Sequence, residues 1–161
     1  MPSRRAFLQS SLALALPALP LERAGAAPAG LLLVPIVAAN SSLTDISLGT
    51  LRRVFLSEPV SGPGGLRLVG FNQPAASRAR EAFDRAVLGM DPDQVARYWV
   101  DQRIRGGSRP PRQVNSVSLL RQVISRFPGG VGYLALADLD ASVRALTING
   151  AAPDAPNYPL R

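Results

Sequence analysis

The chain has 161 residues, no cysteine and no histidine, and its formal net charge of +7 is carried by arginine alone, with no lysine present. Disulfides, thiol nucleophiles, lipid attachment through cysteine, histidine acid–base chemistry and ordinary zinc sites are therefore excluded. The length favours one domain, and a hydrophobic fraction of 47% is that of a globular chain rather than a disordered one.

The chain opens with an export pattern. Ser3-Arg4-Arg5-Ala6-Phe7-Leu8 resembles the twin-arginine motif S/T-R-R-x-F-L. The apolar stretch Leu12 to Leu16 follows, Pro17 breaks it, and Ala24-Gly25-Ala26 has the small-x-small form of a cleavage site. Residues 1–26 are accordingly read as a twin-arginine-type signal peptide, which implies a periplasmic location. A general secretory signal that happens to carry two arginines is the alternative, and both deliver the chain outside the cytoplasm. Removing Arg4, Arg5, Arg23 and Glu22 lowers the charge from +7 to about +5. No long apolar run follows, so the cleaved chain is not expected to span a membrane. The arginines are scattered and few aromatics lie among them, which argues against nucleic acid, although a positive surface suits anionic partners.

Leu31 to Ala38 is a short apolar run and reads as a buried strand, with Pro35 arguing for an edge position or an early break. After the polar loop Asn40-Ser41-Ser42, Ser47 is placed to cap a helix with Leu48, Leu51 and Phe55 on one face. Ser57 to Gly65 is a proline- and glycine-rich loop. Leu66, Leu68, Val69 and Phe71 form the next strand, closed by Asn72, Gln73 and Pro74. A helix begins near Ser77, where Ala79, Ala82, Phe83, Ala86 and Val87 make one apolar stripe, and Gly89 ends it. Asp91 and Gln94 have the spacing of a capping box around Pro92. Val95, Tyr98 and Trp99 give that helix its buried face. Arg103 to Arg112 reads as a basic loop. Asn115-Ser116 caps a further helix with Leu119, Leu120, Val123, Ile124 and Phe127 apolar, and Pro128-Gly129-Gly130 stops it. Val131 to Ala135 and Val143 to Ile148 are the last strands, and residues 151–161 form a proline-rich, loose tail. The order strand, helix, strand, three helices, strand, strand predicts an α/β domain over residues 27–150, a small mixed sheet with packed helices.

Six stretches in order carry a resemblance. They are Leu51-Arg52-Arg53-Val54-Phe55-Leu56 (after Ser42-Leu43), Arg80-Glu81-Ala82-Phe83, Val87-Leu88-Gly89-Met90, Tyr98-Trp99, the Gly106 to Pro111 loop, and Gly129-Gly130-Val131-Gly132-Tyr133. Together they resemble short relatives of the PstS-like phosphate-binding proteins of ABC importers, over about residues 36 to 150. The resemblance implies one lobe of a type II periplasmic-binding-protein-like fold, a non-enzymatic role in transport, and a phosphate-like anion held at a helix start. Where that family reads R-x-D-G-S-G-T, this chain has Gln73 to Ala79. Ser77 keeps the motif's serine, while Gln73, Ala75 and Ala79 stand in place of its arginine, aspartate and threonine.

The candidate anion-binding residues are Ser41, Ser42, Gln73, Ser77 and Arg78. A helix that begins just after a strand presents unpaired backbone N–H groups and partial positive charge. Ser77 would add a hydroxyl, Gln73 an amide and Arg78 a full charge. The Ser41-Ser42 loop would join them if the two strands ran parallel. The competing reading makes Ser77 a plain N-cap with Arg78 and Arg80 solvated. The loop Arg103 to Arg109 is the densest positive patch, suited to an acidic or phosphorylated partner or else simply solvated. Asp91 and Asp93 are explained by capping, and no catalytic residue, metal ligand or cofactor motif is identified. A transporter membrane component, or a second copy of the chain, is the implied macromolecular partner. The alternative function is a non-catalytic envelope interaction module that has lost its ligand.

Overall fold

The computed structural model describes residues 31–161, so the proposed signal segment lies outside the described residues. Strand β1 (Leu33–Ala38) is buried along its whole length. That is why Leu-Val-Pro-Ile-Val-Ala lacks the polar–apolar alternation of a strand with one wet face. It runs antiparallel to β5 (Gly130–Ala135) on one side and β6 (Val143–Ala145) on the other. Strand β3 (Val69–Asn72) lies parallel to β5, and β4 (Arg112–Gln113) parallel to β3. The result is a mixed five-stranded sheet of order β4-β3-β5-β1-β6. A separate parallel pair joins β2 (Asp45–Ile46) to β7 (Thr147–Ile148).

Pro35 does not put β1 at an edge, contrary to the expectation from sequence. Leu33 N donates to Leu160 O, so its amide faces away from β5, and the two-residue period places the Pro35 nitrogen on that same side. The missing N–H therefore takes no bond from the β1–β5 ladder. The Pro35 carbonyl still accepts from Leu146 N at 2.9 Å.

Among the described residues there are four α-helices, each starting at a predicted cap, and the first, second and fourth contact the sheet. Ser47 accepts from Thr50 N at the start of α1 (Leu48–Phe55), which buries Leu51, Val54 and Phe55. Ser77 caps α2 (Arg78–Phe83), which continues through a wider π-turn, Asp84–Leu88, to left-handed Gly89. Asp91 and Gln94 form the full reciprocal box at α3 (Pro92–Ile104), whose Val95 is buried while Tyr98 and Trp99 are half-buried. Ser116 caps α4 (Val117–Arg126), where only Leu120 and Ile124 are fully buried. Leu119 remains 44% exposed and Phe127 42%. Neighbouring helical residues point about 100° apart, so Leu119 and Leu120 cannot both face the sheet.

The core centres on three rings. Phe83 stacks on Tyr133 at 3.7 Å between centroids and 6° between planes, and Phe55 meets both edge-on. Such pairs contribute about 0.5–1.5 kcal/mol each beyond the area they bury. Gly129 opens the β3–β5 pairing by accepting from Val69 N. Its φ is +81°, and a Cβ there would lie 2.3 Å from the Arg67 carbonyl oxygen. Gly132, by contrast, is needed by side chains rather than by a nearby backbone: a Cβ would press on Leu120 and Ile124.

Two expectations are corrected here. The basic stretch is not loop throughout, because Arg112 enters β4 beside Phe71. Residues 151–161 are not loose, since Ala151, Tyr158 and Leu160 are buried. Two apolar side chains two residues apart outweigh the proline content. Among the described residues, no helix is long and apolar enough to cross a membrane.

Candidate functional site

Strand β3 ends at buried Asn72, and Gln73 to Ala76 turn the chain into α2, with Ser77 N donating to Pro74 O at 2.9 Å. Ser77 is extended (φ −80°, ψ 140°), and its hydroxyl oxygen accepts from Arg80 N at 3.1 Å. Its carbonyl takes the Glu81 amide. The amides of Arg78 and Ala79, first in the helix, find no acceptor among the described residues. They point their partial positive charge outward from the helix start, as the first amides of any helix do. Arg78 is exposed and forms no ion pair among the described residues.

Beneath this turn lies a polar layer that ties strand to helix. Arg80 is buried; its Nε donates to Asp84 Oδ2 at 2.5 Å, and its Nη1 donates to the Gln73 carbonyl at 3.3 Å. Gln73 is also buried, and its side-chain amide donates to Tyr133 O at 2.8 Å. The Tyr133 hydroxyl donates to Asn72 Oδ1 and accepts from Gln73 N. Burial raises the Asp84 carboxyl above its usual range, an effect only partly offset by the charge and hydrogen bond of Arg80. Asp84 Oδ1 has no partner among the described residues. Burial also raises the Tyr133 phenol, which stays protonated throughout the physiological range.

Gln73, Ser77 and Arg78 thus come together after the carboxyl end of β3, but not on equal terms. Ser77 and Arg78 face the open helix start, whereas the Gln73 side-chain amide is already engaged below it. Ser41 and Ser42 do not join them. Because β1 is antiparallel to β5 while β3 is parallel to it, their loop lies at the opposite end of the sheet. There it lines a 240 Å³ cavity with Leu66, Pro128 and Gly129. The Ser41 hydroxyl accepts from Leu43 N, and its carbonyl accepts from Arg144 Nη2.

No family model matches the chain. Solved structures do. An ABC-type phosphate transport receptor of Vibrio cholerae is 18% identical, with a TM-score of 0.60, over 75% of this chain and 47% of that one. PstS of Borrelia burgdorferi is 16% identical, with a TM-score of 0.61, over 80% of this chain and 53% of that one. A Clostridium perfringens protein solved with bound phosphate gives 15% and 0.61, over 75% and 46%. The chain has the fold of one lobe of a PstS-like periplasmic binding protein. It spans about half the length of these structures, and at such identities the likeness is one of fold.

Within this PstS-like lobe, sequence reasoning missed the buried pair Arg80–Asp84 and the Tyr133–Asn72–Gln73 links. The available signal was the four-residue spacing of Arg80 and Asp84 on one helix face. No group of three or more aspartate, glutamate, histidine or cysteine side chains gathers among the described residues.

Proposed function

We propose that this chain is an exported, non-catalytic substrate-binding-type protein that holds a small phosphate-like oxyanion at the start of α2. The observation that carries the reading is the pair of unpartnered amides of Arg78 and Ala79 beside the Ser77 hydroxyl and the exposed Arg78 guanidinium. Charge-assisted hydrogen bonds from such donors suit an oxyanion. The fold supports the same reading, since one of its neighbours was solved with phosphate. The contact set is small: Gln73 is committed to Tyr133, and Ser41 and Ser42 lie at the far end of the sheet. A ligand there remains open to water, so affinity is modest unless another surface closes over it. A transporter's membrane component or a second copy of the chain would supply that closure in the envelope.

Calorimetric titration with phosphate and sulfate tests this. Binding no tighter than about micromolar is expected, with Ser77→Ala and Arg78→Ala each weakening it. Nanomolar phosphate binding indifferent to both substitutions would overturn this placement of the site. Absence of any anion binding would favour the second reading, a non-catalytic envelope interaction module on the same scaffold.

A further inference from the structure

A cavity of about 710 Å³ opens where α3 ends, lined by Trp99, Arg103, Arg109, Pro110 and the turn Gly106–Ser108. It lies apart from Ser77. Pro110 leads into the amino end of β4, which is parallel to β3, whereas Ser77 follows the carboxyl end of β3.

Trp99 is half-buried, packing against the core while also lining this space. The turn is tightly set. Gly106 has φ +68°, Gly107 N donates to Gln102 O at 2.8 Å, and a Cβ on Gly107 would fall 3.2 Å from that same backbone oxygen. The carbonyls of Asp101, Gln102 and Arg103 are taken by the amides of Arg105, Gly107 and Gly106. The negative end of the helix is thereby largely satisfied by the chain itself.

Charge decides what this cavity can take. Asp101 is bound to Arg105, and neither Arg103 nor Arg109 forms an ion pair among the described residues. Between Asp101 and Asp138 the sequence has no acidic residue but six arginines. Two exposed guanidiniums therefore stand at the cavity without an ion-pair partner among the described residues, beside an indole and a proline ring. The volume lies in the range of roughly 300–1,000 Å³ typical of organic-ligand pockets and far exceeds what an inorganic oxyanion fills. The planar guanidinium of arginine pairs bidentately with carboxylate and phosphate groups, and aromatic surfaces favour a flat ring.

We infer that this cavity binds a small organic anion bearing an aromatic ring, the ring resting on Trp99 and the negative group met by Arg103 and Arg109. The proposal uses none of the residues of the oxyanion site near Ser77.

Trp99 is the chain's single tryptophan, so its fluorescence reports this site alone. The full chain is titrated with adenosine monophosphate and phenyl phosphate, with adenosine (ring, no charge) and inorganic phosphate (charge, no ring) as controls. Saturable quenching by both ringed anions is expected, at least about tenfold tighter than by either control. Arg103→Ala and Arg109→Ala should each weaken it by about tenfold. Both arginines are exposed, so their variants should keep the parent's Tm, and Ser77→Ala should leave the quenching unchanged. No saturable quenching by either ringed anion up to about 10 mM would overturn the proposal. So would a control that binds as tightly as the ringed anions, or an arginine variant that binds like the parent.

Discussion

Arg80 and Asp84 form an ion pair across one turn of α2 with side chains only 10% and 6% exposed, Nε to Oδ2 2.5 Å. Their burial turns a common helix-surface spacing into a structural dependency. Removing one partner of such a pair leaves a charge in low dielectric and costs about 3–5 kcal/mol, whereas replacing both with apolar groups of like size is often neutral. Arg80→Met is therefore expected to lower the unfolding free energy in urea by about 3 kcal/mol. Arg80→Met combined with Asp84→Leu should lose less than the single change. A double variant as unstable as the sum of its singles would show that the two charges are not coupled.

Asp84 also gives stability a pH dependence of definite sign. Burial holds its carboxyl above the unfolded value of 3.8, with Arg80 opposing. The folded state thus keeps this proton more tightly than the unfolded chain does. The group's contribution is full below the unfolded value and is lost as pH rises through the folded one. The difference in urea midpoint between the parent and Asp84→Asn should therefore shift against the parent as pH rises above the unfolded value of 3.8. A difference that moves in the parent's favour over that range would mean the carboxyl is lowered, with Arg80 outweighing burial.

Ser77 has two roles that one substitution cannot separate. As N-cap it satisfies the Arg80 amide, and loss of such a cap costs about 1 kcal/mol. As a hydroxyl at the helix start it is proposed to meet an anion. Aspartate is an equally good cap but brings a negative charge to the same place. Ser77→Asp is thus expected to hold Tm near the parent's while abolishing phosphate binding in calorimetry. Ser77→Ala should lower both. Retained phosphate binding in Ser77→Asp would place the anion elsewhere.

These residues also mark what could be read in advance. All four helix caps are contacts between residues three apart, so Ser47, Ser77, Asp91 with Gln94, and Ser116 were visible in the sequence. Strand direction was not, because a buried run such as Leu33–Ala38 reads the same whichever way its neighbour runs. That single ambiguity decided whether Ser41 and Ser42 could approach Ser77. The β4 pair Arg112–Gln113 is exposed and polar, so it carries no strand pattern and exists only through β3. Arg80 read as a surface residue because arginine is rarely buried, and only its acceptor Asp84 makes burial tolerable.

Gly129 is expected to tolerate no side chain. Its φ of +81° disfavours every L residue with a Cβ, and the nearest obstacle, the Arg67 carbonyl oxygen at 2.3 Å, belongs to backbone. Relief requires β3 to move away from β5, at the bond from Val69 N to Gly129 O. Gly129→Ala should cost about 2 kcal/mol or more in urea denaturation, combining positive-φ strain with steric displacement. A cost below about 0.5 kcal/mol would mean that this junction adjusts freely.

The chain's last residues close the far side of β1, and their removal should be felt there. Leu160 is 2% exposed, and its carbonyl accepts from Leu33 N at 2.9 Å. Tyr158 is 3% exposed, although its hydroxyl has no partner among the described residues. Truncating a buried leucine to alanine costs about 2–5 kcal/mol, according to how far the cavity collapses. Leu160→Ala is expected within that range, because the side chain is buried and its carbonyl is bonded to β1. Tyr158→Phe should be neutral or slightly stabilising, since it removes an unsatisfied buried hydroxyl. Hydrogen exchange at Leu33 distinguishes a docked terminus from a frayed one: its amide should be protected in the parent and exchange faster in Leu160→Ala. Rapid exchange at Leu33 in the parent would mean that the terminus does not hold β1 in solution.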